Sequence, residues 1–129
     1  PGSARAEAAV AEGLTVLAPA EAAAGADLVA LLAPDEHLPA IHGAIAPVLR
    51  AGAALVFAHG LAVHYGLIVP RADVDVLLVA PKGPGAALRS LYVAGKGMVT
   101  LAAVAQDSSG SAWPLALAYA RALGSGREG

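Results

Sequence analysis

Three short polar segments of this sequence carry side chains suited to proton transfer or to a fixed positive charge. They are Pro34–His37, His59–Gly60 and Pro81–Gly85, and each directly follows a run of apolar residues. His59 carries an imidazole, a side chain that could accept or donate a proton. Lys82 lies between a proline and a glycine, which restrict its loop and suit a positioned charge. The simpler interpretations are a turn histidine bonded to backbone and a solvated lysine.

The apolar runs before these segments predict strands that are buried on both faces. Asp27–Ala33, Ala54–Ala58 and Asp75–Ala80 are apolar without alternation, which is typical of parallel strands covered by helices. Parallel strands need helical crossovers, and helical stretches separate these runs. Ligands of such sheets bind beyond the carboxyl ends of the strands. All three polar segments occupy that position, so we predict a binding site there.

The alternation of helices and strands predicts a doubly wound, mainly parallel α/β sheet with helices on both faces. Glycine and proline signals divide the rest of the chain. The additional elements are strands over Leu14–Leu17 and Val99–Ala105 and helices over Ser3–Ala11, Glu21–Gly25, Ala86–Val93 and Ser111–Leu123, with another helix beginning near Asp35.

Other polar residues are expected to be structural. Asp73 and Asp75 flank the start of a strand, where carboxylates usually face solvent. Ser108 and Ser109 lack the spacing of a nucleophilic serine motif and are expected to cap the closing helix. The histidines are paired five residues apart rather than four, and the sequence has no cysteine, so a metal site is not expected.

The composition limits the classes of protein to which this chain can belong. The chain has 129 residues, 57% of them apolar, which is about the size of one domain with ample material for a core. The net charge of -2 argues against nonspecific nucleic-acid binding. No apolar run approaches the roughly 20 residues of a membrane span, and no signal peptide is visible. The lack of cysteine fits a cytoplasmic setting.

Five segments together resemble the N-terminal, NADP-binding domain of ketol-acid reductoisomerase, also called acetohydroxyacid isomeroreductase. The segment Phe57–Gly66 resembles the family signature F-A-H-G-F-x-I-H-Y, and Asp73–Gly85 resembles A-D-x-D-V followed by A-P-K-x-P-G. The segments Leu32–Glu36, Gln106–Gly110 and Ala116–Ala120 resemble L-x-P-D-E, Q-D-x-S-G and A-L-A-Y-A. Each motif alone is weak, but their shared order and spacing cover almost the whole chain.

The resemblance implies a Rossmann-like domain of an enzyme that isomerises and reduces 2-acetohydroxy acids with NADPH and Mg²⁺, in branched-chain amino-acid biosynthesis. It implies that His59 is catalytic and that Lys82 lies near the substrate. Residues implied to contact NADP are Ser3, Arg5, Asp35, Glu36, His37, Leu38 and Gly85. Arg5 departs from the serine or threonine usual in the family, but its guanidinium could bind the 2′-phosphate bidentately.

Parts of the family fold are expected outside this sequence. No G-x-G-x-x-G follows a predicted strand, so we expect the first strand and its glycine loop to lie before Pro1. The resemblance also implies that the Mg²⁺ ligands belong to a helical domain beyond Gly129, and that the full-length enzyme is a homo-oligomer. We therefore expect residues 1–129 alone to be inactive. A different hypothesis is a stand-alone Rossmann-like module that binds a nucleotide or a partner without catalysis.

Overall fold

The computed structural model describes residues 3–127 and contains one four-stranded sheet. The strands are β1 (Leu28–Leu31), β2 (Ala54–Phe57), β3 (Asp75–Pro81) and β4 (Thr100–Gln106), and they lie side by side in chain order. β1, β2 and β3 are mutually parallel, whereas β4 runs antiparallel to β3. The predicted doubly wound, mainly parallel sheet is confirmed, with an antiparallel strand at one edge.

Helices precede, connect and follow the strands. They are α1 (Ala4–Ala11), α2 (Pro19–Ala23), α3 (Leu38–Ile45), α4 (Leu61–His64), α5 (Gly85–Val93) and α6 (Ala112–Ala122), with 3₁₀ turns at Asp35–His37, Ala46–Val48 and Ser125–Arg127. The single turn of α4 was not predicted, because its four residues are too few to show a helical period. Within residues 3–127, no helix has the length and apolar character that crossing a bilayer requires.

Apolar residues fill both faces of the sheet, as the runs without alternation predict. Leu55 and Phe57 of β2 point into one core, which α2, α3 and α4 cover. Ala54 and Val56 of the same strand point into a second core, which α6 covers with a row of alanines. The small side chains of Ala112, Ala116 and Ala120 are buried against the sheet. The Ala-rich composition therefore supplies a helix surface that packs closely on β2 and β3.

Residues along the antiparallel strand β4 differ in burial from one position to the next. Along β4, half-buried residues alternate with exposed ones, which is typical of an antiparallel strand with one solvated face. The exposed set includes Leu101, Ala103 and Ala105, so this face has an apolar surface. Because the exposed side chains are themselves apolar, the sequence of β4 shows no alternation of apolar and polar residues. It therefore resembles the sequence of a strand that is buried on both faces.

The predicted strand over Leu14–Leu17 is wrong. These residues have no strand assignment, and the side chains of Leu14 and Leu17 are 63% and 47% exposed. A strand requires a neighbour that pairs with its backbone amides and carbonyls. Among residues 3–127, the sheet contains only β1 to β4, so Leu14–Leu17 has no such neighbour.

Candidate active site

The carboxyl ends of β1, β2 and β3 meet at one edge of the sheet. β1 and β3 both pair with β2 in parallel, with Leu31 opposite Phe57 and Phe57 opposite Leu78. The loops that follow these strands therefore leave the sheet in the same direction. His59 follows β2 and Lys82 follows β3, so topology places both beyond this edge, as the sequence predicts.

His59 contacts the loop after the neighbouring strand. Its Nδ1 lies 3.3 Å from a carboxylate oxygen of Asp35. The backbone N–H of Leu61, in the first turn of α4, also points to Nδ1, at 3.4 Å. The His59 side chain is 68% exposed and the Asp35 side chain 34% exposed. The imidazole is thus held from one side of its ring while most of its surface faces solvent.

Lys82 stands in a loop that is tied to the segment before β4. Its backbone N–H donates a hydrogen bond to the carbonyl of Val99 at 2.9 Å. A Cβ on the next residue, Gly83, would lie 2.8 Å from the terminal methyl of Met98, so the loop packs closely there. The residue is exposed, and no hydrogen bond or ion pair joins its ammonium to another residue in the range 3–127. A fixed backbone and an unpaired charge suit the binding of an anion.

A cleft of about 390 Å³ opens at this edge of the sheet. Its walls come from the ends of all three parallel strands and from α5 and α6. Mainly apolar side chains line it, among them Leu32, Ala58, Val79, Pro81, Leu88 and Tyr119. Leu32, Ala58 and Pro81 lie one to three residues from Asp35, His59 and Lys82, so the loops that contain these polar residues border the cleft. Binding sites for small organic molecules commonly combine these features.

The first turn of α5 offers backbone donors at the same edge. Pro84 precedes the helix and no side chain caps it, so the N–H groups of Gly85 and the following residues lack intrahelical acceptors. The helix dipole adds partial positive charge at this end. These amides and Lys82 form a set of donors that fits a negatively charged ligand.

The segment after β1 is partly surface and partly core. Asp35, Glu36 and His37 form a 3₁₀ turn, and Leu38 begins α3. The Leu38 side chain is only 2% exposed and packs in the core beneath the sheet edge. Its apolar side chain therefore anchors the turn, and only the backbone of Leu38 is left for a ligand.

Ser3 and Arg5 lie at the start of α1. The Ser3 hydroxyl accepts a hydrogen bond from the N–H of Ala6 at 3.2 Å and caps this helix. Arg5 is exposed in the first turn. The Ser3 hydrogen bond stays within α1, so it does not by itself join these two residues to the loops after β1, β2 and β3.

Asp75 is buried rather than solvated, which corrects the expectation from its position at a strand start. It is 2% exposed and accepts hydrogen bonds from the backbone N–H and the hydroxyl of both Ser108 and Ser109. Burial raises the pKa of Asp75, but these hydrogen bonds outweigh it and hold the pKa below its ordinary value.

Neither Ser108 nor Ser109 is the N-cap of α6, which is Ser111, so that prediction is wrong, although the Ser109 hydroxyl also accepts a hydrogen bond from the N–H of Ser111 at 3.0 Å. Instead, a carboxylate oxygen of Asp107 accepts from the N–H of Ala112 at the start of α6, at 3.2 Å. The two serines were available to Asp75 because β4 runs antiparallel to β3 and returns its carboxyl end to the start of β3. That contact spans 33 residues of sequence, so no local pattern signals it.

The donor set does not fit a resident divalent cation. Within residues 3–127, no group of three or more histidine or acidic side chains is close enough together to hold a metal. Mg²⁺ prefers several carboxylate or water oxygens around it.

The parallel strands, the cleft at their carboxyl ends and the free helix amides define a Rossmann-like nucleotide-binding domain. The chain belongs to the family described as acetohydroxy acid isomeroreductase, NADPH-binding domain, whose model matches residues 1–129. This is a family of oxidoreductase/isomerase enzymes.

A solved structure of an NADH-preferring ketol-acid reductoisomerase from an uncultured archean is similar to this chain. The two share 44% sequence identity with a TM-score of 0.92 over 95% of this chain. The match covers 38% of the archean chain, so the present chain spans well under half of that enzyme's length.

Two more distant structures share the fold. One is a putative oxidoreductase from Jannaschia sp. CCS1, with 19% identity and a TM-score of 0.71 over 92% of this chain and 46% of that chain. The other is a semialdehyde dehydrogenase NAD-binding protein from Cupriavidus necator, with 22% identity and a TM-score of 0.76 over 96% and 48%. At these identities the likeness concerns the fold alone.

Proposed function

We propose that this chain is the cofactor half of an NADPH-dependent ketol-acid reductoisomerase that converts 2-acetohydroxy acids to 2,3-dihydroxy acids. The observation that supports the proposal is an apolar cleft at the carboxyl edge of the sheet, lined in part by Gly85 of α5, next to the loops after β2 and β3 that contain His59 and Lys82. The cleft suits a nicotinamide ring and the alkyl part of a small substrate, and the donors suit their negative groups.

NADPH, when bound, supplies a hydride to the carbonyl carbon of the substrate. Reduction then needs a proton at the carbonyl oxygen, and His59 moves it in this proposal, because an imidazole can both accept and donate a proton. Lys82 stabilises negative charge on that oxygen, since its ammonium group is positively charged. The apolar floor of the cleft offers a surface against which the apolar parts of the ligands can pack.

Cofactor contacts come from three parts of the chain in this proposal. The turn at Asp35–His37 and the backbone of Leu38 flank the cofactor, and Gly85 lets its backbone approach closely because it has no Cβ. The space beside Gly85 is open, with nothing within 4 Å of the position a Cβ would take. Ser3 and Arg5 bind the 2′-phosphate that distinguishes NADPH from NADH.

Replacing Arg5 by glutamine is expected to raise the KM for NADPH about tenfold and to leave the KM for NADH unchanged, because a bidentate charged contact to phosphate is lost. Steady-state kinetics with each cofactor measures this. Arg121→Gln removes an exposed arginine from α6 and serves as the charge control. Equal weakening of both cofactors would contradict a role for Arg5 in phosphate recognition.

The assay that tests the proposed function uses the complete protein to which this domain belongs. Oxidation of NADPH, followed by its absorbance, should depend on 2-acetolactate and on Mg²⁺. We expect the 129-residue chain alone to show no turnover, because no group of three or more potential metal ligands occurs among its described residues. Binding of NADPH by the complete protein without turnover of any 2-acetohydroxy acid would favour a binding module instead. The cytoplasmic location and the homo-oligomeric state stay predictions.

A further inference from the structure

The Nδ1 atom of His59 has two neighbours that make opposite demands on it. The Asp35 carboxylate, at 3.3 Å, can only accept a hydrogen bond, so it requires a proton on Nδ1. The N–H of Leu61, at 3.4 Å, can only donate, so it requires a lone pair there. A neutral imidazole can satisfy one of these neighbours at a time. The choice fixes which ring nitrogen is left to take a proton.

The energies favour the carboxylate. A hydrogen bond to an ionised group is about twice as strong as one between neutral groups. The Leu61 contact is also long for an N–H donor. Leu61 opens α4, and the first amides of a helix lack intrahelical acceptors and can bond to water. Losing the Leu61 contact therefore costs little.

The fold holds Asp35 at this position independently of any ligand. β1 and β2 are neighbours with Leu31 opposite Phe57, and each loop starts from that paired end. Asp35 sits at the start of a 3₁₀ turn anchored by the buried side chain of Leu38. The Asp35 side chain is about two-thirds covered, so it has less freedom than the exposed acid that follows it, Glu36.

We propose that Asp35 is a positioning residue for His59: it holds the ring proton on Nδ1 and leaves Nε2 as the proton acceptor. The tautomer assignment stands on geometry alone. Its consequence for catalysis rests on the proposed function, in which His59 moves a proton during ketone reduction. The role goes beyond a cofactor contact, because Asp35 would act through the imidazole.

The tautomer can be read directly by ¹⁵N NMR of the imidazole nitrogens in the complete protein, at a pH about two units above the ordinary pKa of histidine. We expect the wild type to carry the proton on Nδ1. In Asp35→Asn the side-chain amide can donate, so the proton should move to Nε2. Asp27→Asn is the matched control: Asp27 precedes β1 at the opposite edge of the sheet, where it pairs with Arg50. It should leave the His59 signals unchanged.

Kinetics of the complete protein give the second readout. Asp35→Asn should lower kcat about tenfold, which is less than the effect of losing an acid–base group altogether. The KM for NADPH should stay near the wild-type value. Asp35→Glu, which keeps the carboxylate, should recover part of the lost kcat. Asp27→Asn should leave kcat unchanged.

Two outcomes would overturn the proposal, and a third would overturn only the function on which its catalytic part rests. A wild-type spectrum with the proton on Nε2 would do so without any variant, so a variant that fails to fold does not remove the test. A rise in the KM for NADPH with no change in kcat would make Asp35 a cofactor contact only. An Nδ1 proton that moves in Asp35→Asn, in a protein without reductoisomerase activity, would uphold the tautomer assignment and contradict the proposed function.

Discussion

Replacing His59 by glutamine is expected to lower kcat of the complete enzyme by about 100- to 1,000-fold, the usual contribution of one acid–base group. Glutamine can still donate a hydrogen bond to Asp35 and fills a similar volume, but it does not titrate. The loss should therefore fall on kcat, with the KM for NADPH nearly unchanged. Steady-state NADPH oxidation with saturating 2-acetolactate measures the effect.

The control for this variant is His64→Gln. His64 lies at the end of α4, where its ring contacts that of Tyr65 edge to face. It borders an apolar groove between α4 and β4 rather than the cleft at the strand ends. We expect wild-type kcat in this control. If the His59 variant were as active as the His64 variant, His59 would have no role in catalysis.

Replacing Asp75 by alanine is expected to lower the free energy of unfolding by about 3 kcal/mol, since hydrogen bonds to a charged group contribute about 1.5–3 kcal/mol and are not additive. Asp75 accepts four hydrogen bonds from Ser108 and Ser109, which lie in the connection between β4 and α6. Without the carboxylate, two backbone amides lose their partners and the loop that positions α6 loosens. Urea unfolding followed by circular dichroism measures the loss.

The same carboxylate should make stability depend on acid pH. Because the pKa of Asp75 is lower in the folded chain, its contribution is present above the unfolded value of about 3.9 and is lost as pH falls through the folded value. Asp75→Asn should make stability decline less steeply with falling pH in that range.

The control for Asp75→Ala is Asp73→Ala. It removes an exposed partner of Arg71 and should leave the neutral-pH unfolding midpoint nearly unchanged. Equal destabilisation by the two alanine variants would show that burial of Asp75 is not what matters.

The sequence predicted the parallel part of the sheet well because its signal is local. β1, β2 and β3 are short apolar runs bounded by polar turns, and burial on both faces needs no knowledge of distant residues. The direction of β4 and the absence of a strand at Leu14–Leu17 depend on pairing partners. Strand pairing joins residues far apart in sequence, and propensity does not encode it.

The candidate site was predictable for a related reason. Polar residues after apolar strands share one edge whenever the strands are parallel, so His59 and Lys82 could be placed together without coordinates. The hydrogen-bond partners could not. The Asp35–His59 contact joins two loops, and Asp75 reaches serines 33 residues away. Tyr119, which lines the cleft, was also not predicted from the sequence. Leu115, Tyr119 and Leu123 are spaced four residues apart, so they lie on one face of the helix, and this spacing could have indicated that Tyr119 faces the sheet.

A crystal structure of the complete protein with NADPH tests the central claim most directly. We expect the nicotinamide ring in the cleft at the carboxyl ends of β1 to β3, within contact distance, about 4 Å, of the loops that carry His59 and Lys82. The amides of α5 should face a negatively charged group. A cofactor bound at the opposite edge, beside Gly52 and Asp73, or on the exposed face of β4 would contradict the account.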